Sequence, residues 1–109
     1  MNPQEIIRIT EQEMGMRLSE IAGTYEVRLS KYHPGLRLRC MIALVLDQEG
    51  YGAAFIARMI SVSPNRVYTL IQNADAILST WPWMDGYDRY FKRSYLSIMG
   101  RITQLEDAA

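Results

Sequence analysis

Residues Gly52–Leu78 read GAAFIARMISVSPNRVYTLIQNADAIL, and the fold turns on how this stretch divides. Phe55, Ile56, Met59 and Ile60 recur at helical spacing, which predicts a first helix with one apolar face. Ala57 is small where a second helix needs a close approach. Ser61-Val62-Ser63-Pro64 interrupts the pattern and restarts it. Ser63 suits the N-cap of the next helix, and Pro64 its first position, where no N–H is needed. Val62 and Val67 occupy the two positions of a hydrophobic staple across that cap. Beyond it, Val67, Leu70, Ile71, Ala74 and Leu78 form a second apolar stripe. At roughly 100° per residue, Asn65, Thr69, Gln72, Asn73 and Ala76 fall on the opposite face, which is uncharged and rich in amides and hydroxyls.

A helix, a tight turn and a polar-faced second helix form the pattern of a helix-turn-helix reader of the DNA major groove. The same pattern occurs in all-α domains that never meet DNA, because any solvated helix has a polar outer face. With 109 residues the chain has the length of one domain, residues 1–109, with the helix-turn-helix at about 52–78. A hydrophobic content of 49% against 22% charged residues places it among ordinary globular chains. Lys+Arg 12 balances Asp+Glu 12, which counts against a dedicated DNA binder unless the cations are clustered. One segment does cluster them: Arg28–Arg39, RLSKYHPGLRLR, holds Arg28, Lys31, Arg37 and Arg39 beside His33 and has no acidic residue. Such a loop neutralises phosphates or reaches a minor groove, and its bland reading is a solvated loop.

Outward from these stretches, Asn2-Pro3-Gln4-Glu5 is a helix start with Asn2 as cap and Pro3 in first place. Ile6, Ile7, Thr10 and Met14 share one face, and Gly15 ends the helix. A short second helix is predicted over Ser19–Ala22. Thr24 to Leu36 is the least regular part, closed by His33-Pro34-Gly35, read as helix-breaking. Leu38 to Leu46, LRCMIALVL, is apolar nearly all round after Arg39 and so reads as a central, buried helix. Pro82 keeps Ser79–Trp83 from being helical, and Trp81 and Trp83 are candidates for a partner surface. A last helix is predicted from Asp85 or Gly86. Tyr87, Phe91, Tyr95, Ile98 and Ile102 form its apolar stripe, Arg89, Lys92, Arg93 and Arg101 its basic side, and Gln104 to Ala109 a frayed tail.

Signals of catalysis are sparse. The single histidine, His33, has no partner at metal-ligand spacing, and no phosphate-binding glycine loop is present. Cys40 is read as a buried thiol in a reducing compartment. An enzyme is therefore not expected, nor a cofactor. No signal-peptide pattern and no apolar run near the roughly 20 residues of a bilayer span occur. The expected setting is cytoplasmic, with no membrane partner.

The order of elements resembles the C-terminal DNA-binding domain of the bacterial replication initiator DnaA. IIRITEQEMGMRLSEIAG matches that family's opening from Ile6 through Gly15, Leu18 and Ile21 to Gly23. Arg39-Cys40-Met41-Ile42-Ala43-Leu44 is similar to its arginine-led apolar helix, and Ile56-Ala57-Arg58 stands where the family has Ile-Gly-Arg. The likeness runs from about Pro3 to Ile102. The family's recognition helix opens Arg-Asp-His-Thr-Thr-Val, whereas Ser63-Pro64-Asn65-Arg66-Val67 keeps only the Val and is one residue shorter. The resemblance thus implies the fold and the docking mode but not the target sequence. It does not extend to the initiator's ATPase part, so the chain is read as a stand-alone domain.

Together these readings predict an all-α bundle of about five to six helices with a helix-turn-helix. Its partner is double-stranded DNA, in transcription or replication, in a bacterial or phage setting. Arg28, Lys31, Arg37, Arg39 and Arg58 are the expected phosphate anchors. Asn65 is placed to pair with adenine, Arg66 with guanine or a phosphate, and Thr69 to meet a thymine methyl, with Ser63 and Asn73 beside them. A homodimer or protein partner through the C-terminal helix is the further partner expected. The alternative is a protein–protein interaction module on a DnaA-like fold that has lost DNA binding.

Overall fold

A computed structural model describes residues 2–21 and 34–108. Among them are six helices and no strand: α1 Pro3–Met14, α2 Leu18–Ile21, α3 Pro34–Gln48, α4 Ala53–Ile60, α5 Pro64–Leu78 and α6 Arg89–Ala108. The all-α class expected from the sequence is the class observed.

The architecture follows from one helix with no polar face. Leu38 to Leu46 of α3 are buried on every side, so α3 has to be surrounded, and it packs against each of the other five helices. Each large side chain buried there contributes about 1.5–3 kcal/mol by leaving water. Around it α1 presents Ile6, Ile7 and Ile9, α4 Ile56 and Ile60, α5 Val67 and Leu70, and α6 Phe91, Ile98 and Ile102. Buried Ala57 lies in α4, which packs on both α3 and α5.

Local signals set the helix ends. Asn2 Oδ1 accepts the Glu5 N–H at 2.8 Å, Pro3 begins α1, and Gly15 closes it in the left-handed region at φ 69°. Glu11 Oε2 accepts the Leu18 N–H at 2.7 Å, so α1 supplies the first hydrogen bond of α2. Farther along, α6 is tied back to α1. Arg101 Nη1 lies 3.3 Å from Glu13 Oε1, and its Nη2 donates to Gln12 Oε1 at 2.8 Å. Tyr95 donates its hydroxyl to Gln48 Oε1 at 2.8 Å. The Glu49 carboxyl hydrogen-bonds Glu106, which raises its pKa above the usual carboxylate value, with partial burial and the Glu106 charge adding to the effect.

Five expectations change. The helix-breaking reading of His33-Pro34-Gly35 gives way to a start: α3 begins at Pro34, and Gly35 and Leu36 are buried within it. A proline is accepted in a first helical turn because its missing N–H has no partner to lose. The last helix begins at Arg89 rather than Asp85 or Gly86, because Asp88 Oδ1 accepts the Phe91 N–H at 2.9 Å and so holds the cap position. Tyr87 consequently precedes α6 instead of joining its stripe, and α6 continues through the expected tail to Ala108. The short helix runs Leu18–Ile21, one residue earlier than expected.

Candidate nucleic-acid interface

The α4–α5 corner is built as its sequence implies. Ser61 ends α4 at φ 60°, ψ 49°, and its N–H donates to Ala57 O. The Val62 N–H reaches the same carbonyl at 3.0 Å. This left-handed closure usually falls to glycine. Two residues on, Ser63 caps α5, its Oγ accepting the Arg66 N–H at 3.3 Å, with Pro64 in first place. Val67 is fully buried and Val62 packs on the core, as a staple requires.

That corner turns the outer face of α5 to solvent. Asn65, Thr69, Gln72 and Ala76 are exposed, and so is Tyr68, at 59%. Asn65, Gln72 and Ala76 lie within roughly 20° of one line along the helix, with Thr69 and Tyr68 to either side. Asp75 is the first acid along α5, and the first turn carries none. The first turn of α5 therefore sets no carboxylate of its own against the positive end of the helix dipole. Arg58 is exposed, its guanidinium 6.0 Å from the Phe55 ring centre, and Arg66 is half-buried at the side of α5.

The other expected contacts divide. Asn73 is exposed but lies roughly 80° around α5 from Asn65 and about 12 Å farther along, where it lines a cavity instead of the Asn65 row. Arg37 joins it at that cavity and is held: its Nη2 is 2.8 Å from Asp88 Oδ2, and its guanidinium lies 5.9 Å from the Phe91 ring centre. Arg39 is 3% exposed, with Nη2 donating to Ile21 O at 3.3 Å, so it ties α2 to α3. A phosphate does not reach a guanidinium in that position, and Arg39 leaves the anchoring set. Arg28, Lys31 and His33 lie outside the described residues.

Two features escaped the sequence reading. Tyr68 stands three residues after Asn65 and four before Gln72, so helical spacing alone placed it in the exposed row. Nothing in the sequence pairs Arg37 with Asp88, because that contact joins distant segments. Elsewhere, Trp81 and Trp83 stack at 5.4 Å between ring centres while remaining 57% and 78% exposed. Lys92 Nζ lies 5.9 Å from the Trp81 ring centre.

No group of His, Cys, Asp and Glu among the described residues is arranged to hold a metal ion. No described helix is long and apolar enough to cross a membrane. In comparison with known proteins, the chain matches no protein-family model, no curated protein and no solved structure.

Proposed function

We propose that the chain binds double-stranded DNA, with α5 as the recognition helix of a helix-turn-helix, and that it serves transcription or replication. The observation that carries this reading is the solvent-facing row Asn65, Tyr68, Thr69 and Gln72 at the capped, acid-free start of α5. Amides and a hydroxyl on one face are groups that read base edges in a major groove, and the Tyr68 phenol stands beside them. Arg58 supplies a phosphate contact on α4, and Arg66 contacts a guanine or a phosphate from the side of α5. The resemblance to the DnaA C-terminal domain supports the same docking mode. Because that family's signature is missing from Ser63–Val67, the target sequence is this chain's own.

The test is selection from a pool of random duplexes at two salt concentrations, with Asn65→Ala and Arg58→Ala alongside the wild type. One enriched motif is expected. Asn65→Ala should lose about 1–3 kcal/mol of discrimination at one position. Arg58→Ala should weaken binding to every sequence and lower the salt slope by about one. Absence of binding at the lower salt overturns the proposal.

A second reading is favoured by the stacked, exposed Trp81–Trp83 pair. Aromatic groups of this kind anchor protein interfaces. On α6, Leu96 and Leu105 are also exposed, which suits a homodimer or partner contact through that helix. Loss of self-association or partner capture in Trp83→Ala, with DNA affinity unchanged, would separate this surface from α5.

A further inference from the structure

A cavity of about 600 Å³ opens between the start of α3, the second half of α5 and the segment leading into α6. Its size falls within the range of small-molecule sites, roughly 300–1,000 Å³. Leu36 and Cys40 of α3 and Ala76 and Ile77 of α5 give it an apolar lining. Tyr87 and Tyr90 add aromatic rings, and the charged groups at the cavity are Arg37, Asp88 and Arg89. Asp88 is committed to Arg37 at 2.8 Å, so Arg89 leaves the lining with one net positive charge. Arg37 also keeps a buried Nε with no hydrogen-bond acceptor among the described residues.

Apolar walls, two phenol rings and an excess of cationic donors select for a flat, apolar body carrying one anionic acceptor. We propose that this cavity binds a small aromatic carboxylate. The ring system lies against Leu36, Ile77 and the tyrosines, and the carboxylate is held by Arg89. The inference rests on the cavity and not on DNA binding. Because Asn73, Ala76 and Ile77 belong to α5, the occupant touches the helix that carries the Asn65 row, meeting that row's line at Ala76 near the far end of the helix.

The test titrates the intact chain with 2-naphthoate, following backbone amide resonances and heat of binding. Its neutral and cationic counterparts, 2-naphthylmethanol and 2-naphthylmethylamine, are run in parallel. Saturable shifts at Asn73, Ala76, Ile77 and Tyr87 are expected, with the naphthoate binding about tenfold tighter than the alcohol, the effect of one charge-assisted hydrogen bond. Arg89→Ala changes an exposed side chain and should remove about that tenfold preference. Ala76→Phe should fill the space and abolish binding. Equal affinity for all three probes, shifts centred on Trp81 and Trp83, or no saturation at millimolar probe would overturn the proposal. If Ala76→Phe fails to fold, the charge preference and its loss in Arg89→Ala decide the matter.

Discussion

Arg37 and Asp88 join the start of α3 to the start of α6 at a single carboxylate. Asp88 Oδ2 takes the Arg37 guanidinium at 2.8 Å while its Oδ1 caps α6 through the Phe91 N–H at 2.9 Å. Both side chains are half-buried, so the pair is less screened than a surface ion pair and more hydrated than a core one.

Substitution separates the two roles. Asp88→Asn keeps a capping oxygen and loses the ion pair, and about 1 kcal/mol of stability should go with it. Asp88→Ala removes both and should cost about 2–3 kcal/mol, since the guanidinium also loses its partner. Urea unfolding of both variants measures the difference. An Asp88→Asn protein as stable as wild type would mean that the carboxylate charge contributes nothing, and equal stabilities of the two variants that the capping oxygen contributes nothing.

Ser61 is the one described residue other than glycine with positive φ. A side chain in that region costs roughly 1–2 kcal/mol, and the Ser61 N–H keeps its bond to Ala57 O whatever the side chain. Ser61→Gly should therefore raise stability by about 0.5–1 kcal/mol, the gain being reduced by glycine's greater freedom in the unfolded chain. A fall in thermal midpoint would show that the serine side chain contributes something the backbone geometry does not reveal.

Arg39 and Arg58 should respond in opposite ways. Arg39→Ala withdraws a buried donor from Ile21 O and leaves space beside α2, so a loss of about 2–4 kcal/mol in stability is expected. Arg58→Ala changes an exposed side chain and should stay within about 0.5 kcal/mol of wild type. Chemical denaturation in the absence of DNA checks both. An Arg39→Ala protein with unaltered stability would return Arg39 to the candidate phosphate contacts.

The Glu49–Glu106 pair predicts a pH dependence with a definite sign. Its hydrogen bond to Glu106, partial burial and the Glu106 charge raise the Glu49 pKa in the folded chain. The stabilisation is fully present below the unfolded carboxylate value of about 4.3 and is lost as pH rises through the folded value. At neutral pH two ionised carboxylates repel. Glu49→Gln should therefore be more stable than wild type near pH 7, by well under 1 kcal/mol because solvent screens the pair. The advantage should vanish below about pH 4. Melting both proteins across this span tests the sign, and a wild type more stable at pH 7 would rule out net repulsion.

The elements whose chemistry is local were legible in the chain. Asn2, Gly15, Ser63 and Pro64 act on backbone groups a few residues away, and their helix ends appear where those residues stand. The apolar run Leu38–Leu46 has no polar face to turn outward, so its central place follows from composition alone. The outer face of α5 was equally readable, because helical periodicity sorts Asn65, Thr69 and Gln72 from Val67 and Leu70 without reference to any other helix. What only the tertiary structure decided is the fate of the cations. Arg37, Arg39 and Arg58 look alike in sequence, yet one is paired with Asp88, one is buried against Ile21 and one faces water. The cavity between α3, α5 and α6 was hidden for the same reason: its walls come from segments far apart in the chain. Burial and pairing depend on which helix arrives beside which, and that is settled by packing around α3 rather than by any short run of residues.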